Sequence, residues 1–211
     1  MRLIYNLFAA FVLLQSPTAA AGSYEELLAA VKLNDIPAAE ALFAKGMDVN
    51  TTDPGANTLL MIAIQGESGD MVKLLLRHKA RVDPRNQYGE TALMLAAAAG
   101  SLEQVRLLVD QGAKIDLLGW NPLIYAAWRG QTEVVRYLLS KGADIDAVSP
   151  NGISALMMAA RGGHLDTVKL LLWEVADPNI KSETGATAMA WALQAGNTEI
   201  VKLLKQAGAF E

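Results

Sequence analysis

The chain has 211 residues, 52% apolar and only 6% aromatic, so a continuous core is affordable but must be packed chiefly by alanine and leucine. It contains no cysteine, which excludes disulfides, thiolate metal sites and thiol nucleophiles. Its net charge is −4 and no stretch is rich in lysine or arginine, which argues against a nucleic-acid partner, since neutralising phosphates takes a basic stripe.

The N-terminus has the layout of a secretory leader. Met1-Arg2 is a short basic start, Leu3–Leu14 is apolar apart from Asn6, and residues 15–21 (QSPTAAA) end in small side chains. Ala19 and Ala21 satisfy the small-x-small rule, so cleavage is expected after Ala21. The apolar run falls well short of the ~20 residues needed to cross a bilayer, so the mature chain is expected to have no membrane span. Losing Arg2 leaves 17 basic residues (18 less 1) against 22 acidic, a net charge of −5. The expected location is periplasmic or secreted.

Past the leader, Ser23 and Glu26 have the S-x-x-E spacing of a capping box, predicting a first helix over Tyr24–Leu33. Asn34-Asp35 reads as a turn. A second helix is expected from Ile36 to Lys45, with Pro37 tolerated in its first turn and Gly46 ending it. Residues 47–56, with Asp48, Asn50, Asp53, Pro54 and Gly55, have loop or hairpin composition.

This grammar then repeats. Glu25–Asn34, Thr58–Glu67, Thr91–Gly100, Asn121–Gly130, Ser154–Gly163 and Thr187–Gly196 are copies of one ten-residue helix, spaced 33, 33, 30, 33 and 33 residues apart. Their third position is Leu27, Leu60, Leu93, Leu123, Leu156 and Met189. Their sixth is always alanine: Ala30, Ala63, Ala96, Ala126, Ala159 and Ala192. Each copy precedes a second helix with a Val/Ala and Leu pair three apart on one face, from Ala39/Leu42 to Val201/Leu204. Neither helix buries its stripe alone, and a fixed period of this length means a stacked array.

The T-x-L-x-x-A-A-x-x-G helix, the V-x-x-L-L helix and the G-A-D-I-D exit (Gly142–Asp146) resemble ankyrin repeats over about Glu25–Phe210. The resemblance implies an all-α ankyrin-repeat solenoid of six stacked helix-turn-helix units with hairpin fingers. The domain would span 22–211, with repeats near 25–57, 58–90, 91–120, 121–153, 154–186 and 187–211. The family's first-helix histidine is absent; Met61, Met94, Ile124, Met157 and Ala190 replace it, which weakens an inter-repeat hydrogen-bond layer. Val175 and Lys79 stand where other units have Gly46, Gly112, Gly142 and Gly208. The third unit is three residues short, and its finger, residues 117–120 (LLGW), is apolar where the others are polar.

No catalytic constellation has usable spacing. His164 falls in a Gly163-His164 turn, His78 ends a second helix, and the recurrent pairs Asp144/Asp146 and Asp48/Asn50 suit loop hydrogen bonds better than acid–base chemistry or calcium. No catalytic, metal or cofactor site is therefore expected, and the chain is read as a non-enzyme. Ankyrin proteins generally bind partners on the inner face. Position by position, the resemblance transfers this role to Asn57, Gln87, Tyr88, Glu90, Leu117, Leu118, Trp120, Asn151, Ile153, Glu183 and Ala186 in the fingers. On the late first helices it falls to Gln65, Ala98, Ala99, Trp128, Arg129, Arg161 and Gln194. Among these, Tyr88, Glu90, Leu117, Leu118, Trp120, Trp128, Arg129, Ile153 and Arg161 form the expected partner-binding set, since Trp, Tyr and Arg dominate binding hot spots. The alternative for Trp120 is that it fills the gap left by the short finger. Tyr125 and Trp191 read as half-buried core, and Trp173 as local packing away from the inner face. The expected protein is a monomer that binds another protein. It could be an inhibitor or immunity protein against a toxic enzyme, a general adaptor or stress-protection protein, or a secreted effector acting on a host protein.

Overall fold

The computed structural model describes residues 17–210, with side chains from Ser23 onward. The apolar run Leu3–Leu14 of the expected leader lies outside the described residues. Twelve helices are seen in that range, two per unit. They are α1 (Pro17–Lys32) and α2 (Ile36–Ala44), α3 (Leu59–Gln65) and α4 (Gly69–Arg77), α5 (Ala92–Ala99) and α6 (Leu102–Asp110). The remaining six are α7 (Pro122–Trp128) and α8 (Thr132–Ser140), α9 (Ala155–Gly162) and α10 (Leu165–Trp173), α11 (Ala188–Gln194) and α12 (Thr198–Gln206). None of the helices among the described residues is long and apolar enough to cross a membrane.

Two layers result. The odd-numbered helices pack neighbour to neighbour from α1 to α11, and the even-numbered ones do the same from α2 to α12. The odd helices approach one another more extensively than the even ones, which curves the stack toward the odd layer. The sixth-position alanines permit this: each is at most 5% exposed, and five are fully buried. The third-position leucines and Met189 are no more than 2% exposed, and every Val/Ala–Leu pair of the even helices is buried. A fully buried Leu or Val side chain is worth ~1.5–3 kcal/mol, so one unit's stripe becomes core only when the next unit covers it.

The first helix departs from expectation at its start. Instead of opening at a capping box on Ser23, α1 runs continuously from Pro17. Ala19–Ala21 are strong helix formers, so the helix extends upstream through Ser23. From α3 onward each odd helix opens on a side-chain cap in extended backbone. Thr58, Thr91, Asn121, Ser154 and Thr187 accept from the amides of Met61, Met94, Ile124, Met157 and Ala190 at 2.9–3.3 Å, each cap worth ~1 kcal/mol. Of the residues that replace the family histidine, Met61, Met94, Ile124 and Met157 are fully buried, whereas Ala190 in the last unit is exposed.

Polar bonds between units are carried elsewhere. In the exit loops, Asn50, Asp83, Asp116, Asp146 and Asn179 each accept from a backbone amide one unit on: Arg81, Lys114, Asp144, Asp177 and Phe210, at 2.9–3.1 Å. The recurrent exit-loop Asp and Asn residues therefore do form loop hydrogen bonds. A second ladder lies at the turn before the even helices. Gln131 Nε2 donates to the Ala98 carbonyl at 3.3 Å, His164 Nε2 lies 2.9 Å from the Trp128 carbonyl, and Asn197 Nδ2 donates to the Ala160 carbonyl at 2.8 Å. His164 is thus a structural bridge between the fourth and fifth units.

Two positions work against stability. Val175 sits at φ 68°, in the left-handed region that Gly142 and Gly208 occupy at 90° and 83°, where a β-branched side chain is strained. Gln104, only 4% exposed, takes the slot filled by Met71, Val134 and Ile200 in other units and by the hydrogen-bonded Thr167 in the fifth. Among the described residues nothing bonds its Oε1. Val175→Gly relieves more strain than it adds in chain entropy, and we expect a gain of about 0.5–1 kcal/mol. Gln104→Met removes a buried polar atom left unsatisfied, with an expected gain of about 1–2 kcal/mol. Thermal melts followed by circular dichroism should rise by roughly 2–4 °C per kcal/mol gained.

Candidate partner-binding site on the inner face

The site grows out of the fingers. Four of them are stapled at their base by one side chain that accepts from the amide four residues on: Asp53 from Asn57, Asn86 from Glu90, Ser149 from Ile153 and Ser182 from Ala186, at 2.8–3.2 Å. Adjacent fingers also join through backbone, Gln87 to the Gly55 carbonyl and Glu183 to the Asn151 carbonyl. The third finger, three residues shorter, turns at Gly119 with φ 87° and delivers Trp120 directly onto the start of α7. Trp120 is half-buried against the core, while Leu118 at its tip is 99% exposed. The short finger therefore both fills its gap and exposes apolar surface.

Around Trp120 an aromatic cluster assembles. Tyr125, on the first turn of α7, meets Trp120 edge to face with ring centroids 6.0 Å apart and planes at 84°. Trp128, three residues along the same face, meets Tyr125 at 6.2 Å and 85°. Such edge-to-face pairs are favourable beyond the area they bury. The Tyr125 hydroxyl donates to Glu90 Oε1 at 3.1 Å, and Glu90 Oε2 accepts from Asn86 Nδ2 at 2.9 Å. Together Glu90, Trp120, Tyr125, Trp128 and Met158 line an open cavity of about 280 Å³. Burial pushes the Tyr125 hydroxyl up to about 12, helped by the Glu90 charge and hydrogen bond and opposed by Arg85.

Glu90, Trp120 and Trp128 of the expected set therefore share one cavity. Arg129 joins it through Trp128, its guanidinium 5.3 Å from the ring centroid. Arg161 is instead drawn to Trp191, 5.3 Å from that ring. Tyr88 projects from its finger at 74% exposure, whereas Leu117 and Ile153 are half-buried, Ile153 packed on the core. Tyr125 and Met158 were not expected in the site. They occupy the fifth position of their helices, where Leu95 and Trp191 stand in other units, and the fifth and eighth positions share a helix face. Trp173 overturns its expected role: it is 83% exposed at the end of α10, on the even-helix layer. There it lines a shallow groove with Glu133, Arg136, Asp166 and Lys169, whose i,i+3 ion pairs at 3.6 Å are exposed and weak.

The family model for ankyrin repeats (three copies) matches residues 27–118, 82–149 and 146–210. The chain belongs to the ankyrin-repeat family. It is 32% identical over 110 residues to an ankyrin repeat and KH domain-containing protein of Caenorhabditis briggsae, covering 50% of this chain and 4% of that protein. It is 36% identical over 104 residues to a glycerophosphocholine phosphodiesterase of Candida albicans, covering 46% and 9%. It is also 30% identical over 86 residues to the human transient receptor potential cation channel subfamily A member 1, covering 40% and 8%. This ankyrin chain spans less than a tenth of each relative's length. Ankyrin repeats are protein–protein interaction scaffolds, and the fold generally binds without catalysing.

The raised Tyr125 value carries a sign. Between about pH 10 and 12 the unfolded chain has released this proton and the folded chain has kept it, so the tyrosine's contribution is intact below pH 10 and lost as pH rises through 12. The stability difference between wild type and Tyr125→Phe, measured by denaturant titration at successive pH values, should therefore shrink across that window.

Proposed function

We propose that this chain is an exported, monomeric, non-enzymatic scaffold that captures another protein on the inner face of its third to fifth units. The observation that carries the reading is the cluster of Trp120, Tyr125 and Trp128 around one open cavity, flanked by Arg129 and by the exposed Tyr88 and Leu118. Trp, Tyr and Arg gathered at one place are the composition of a binding hot spot, and an exposed apolar group rimmed by charge is the surface such a spot needs. The leader-like N-terminus supports a periplasmic or secreted location. A scaffold that acts only by occupying a surface affects an enzyme partner by occlusion, so inhibition or immunity against a toxic enzyme is the specific form of this proposal.

The rigid stack suits such a role. The inter-unit ladders fix the cluster's spacing before the partner arrives, which lowers the ordering cost of association. Affinity capture from a periplasmic extract should retain a dominant partner on the wild-type chain. The double variant Trp128→Ala, Arg129→Ala should lose it, a hot-spot truncation costing about 2 kcal/mol or more, while its circular dichroism spectrum stays unchanged. Undiminished capture by the folded double variant overturns the inner-face reading.

A further inference from the structure

The cavity at the centre of the inner face has a chemical preference of its own. Its walls are three aromatic rings, with Tyr125 between two tryptophans that stand nearly perpendicular to it, at 84° and 85°. Its one charged group is the Glu90 carboxylate. Aromatic faces carry negative quadrupoles and attract cations, most strongly when the cation is partly desolvated. Trp128 already draws the Arg129 guanidinium to within 5.3 Å of its ring centroid, which shows that a cation is accommodated beside this cluster. None of the ion pairs among the described residues engages Glu90. Arg85, whose charge acts on Tyr125, is engaged elsewhere, its guanidinium donating to the Gly89 carbonyl at 2.7 Å.

We infer that this cavity receives the ammonium group of a lysine side chain presented by the partner protein. Two features select lysine over other cations. Each oxygen of Glu90 already accepts one hydrogen bond, from Tyr125 and from Asn86. A bidentate guanidinium fork would need the one acceptor site left on both oxygens, whereas a compact ammonium needs only one and can spend its remaining donors on water. The volume, about 280 Å³, lies below the roughly 300–1,000 Å³ of pockets that enclose a drug-sized ligand. It is the size for one side chain whose alkyl stem lies against Trp120 and Met158.

This inference rests on the inner-face reading, and the test separates the two. Nα-acetyl-lysine methylamide is titrated into the purified protein while the tryptophan indole N–H resonances are followed by NMR. The Trp120 and Trp128 signals should move, and the Nε-acetylated probe, which lacks the charge, should bind about tenfold more weakly. Glu90→Gln keeps the acceptor for Tyr125 and the shape of the side chain, gives up the bond from Asn86, and should lower affinity for the lysine probe by a similar factor while the circular dichroism spectrum stays that of the folded chain. Trp128→Leu should do the same. Equal binding of the charged and acetylated probes, or shifts confined to Trp173, overturns the inference. Tetramethylammonium binding about tenfold tighter than the lysine probe also overturns it, by assigning the cavity to a small free cation. If the lysine probe binds as expected while the Trp128/Arg129 double variant still captures its partner, the inner-face reading fails and the pocket chemistry stands.

Discussion

How closely the odd helices can approach one another governs the rest of this molecule. A helix carrying a large side chain at its sixth position would hold its neighbour away and leave the third-position leucines short of contacts. With alanine there, backbones come near enough for each leucine to be enclosed by two units. Dispersion and burial reward this steeply with distance, so the interface between units is close to all or none. The even helices approach one another less, and the difference between the two layers is the curvature. The concave face on which the aromatic cluster sits therefore follows from the smallest side chains in the repeat.

Close packing alone would let the units slide, since alanine against alanine has little shape to lock. The register comes from polar ladders. In the exit loops, a carboxylate or amide oxygen accepts from a backbone amide one unit on, at five successive junctions. Before the even helices, Gln131, His164 and Asn197 reach back to carbonyls at the ends of the odd helices one unit earlier. The Ala98 and Trp128 carbonyls lie in the last turns of their helices, where such groups would otherwise depend on solvent, and the Ala160 carbonyl accepts from Gly163 at 3.4 Å as well. Stability then accrues unit by unit, and the end units, each covered on one side, are the first to open.

How much of this was legible depended on whether a residue's role is set within its own repeat. The sixth-position alanines, the third-position leucines and the strained Val175 could be read directly, because each answers to backbone geometry that recurs at a fixed offset. His164 could be placed as structural for the same reason. The start of α1 was not legible from Ser23 and Glu26, since a local capping box competes with the alanines upstream and the continuous helix wins. Trp173 misled because a tryptophan on a helix is usually covered, and only the outward aim of α10 shows that nothing covers it. Tyr125 was legible only in part. Its fifth position reads as half-buried core, which is correct, but its ring edge and hydroxyl are shared between that core and the cavity. Whether a half-buried residue belongs to a site depends on what the next unit and the preceding finger bring to it, and no single repeat contains that information.

The three-residue deletion in the third finger ties these threads together. Full-length fingers are closed by Asp53, Asn86, Ser149 or Ser182, each accepting from the amide four residues on. In the short finger Asp116 still serves the inter-unit ladder, but no equivalent staple is formed, and the chain passes from Gly119 into Trp120 and straight to the Asn121 cap. Trp120 is thereby laid against Tyr125 instead of being lifted onto a finger tip. In a solenoid whose other units are nearly interchangeable, a local shortening of the repeat is what makes one stretch of the inner face chemically different from the rest. The aromatic cavity is best understood as a defect in the period, held rigid by the regularity on either side of it.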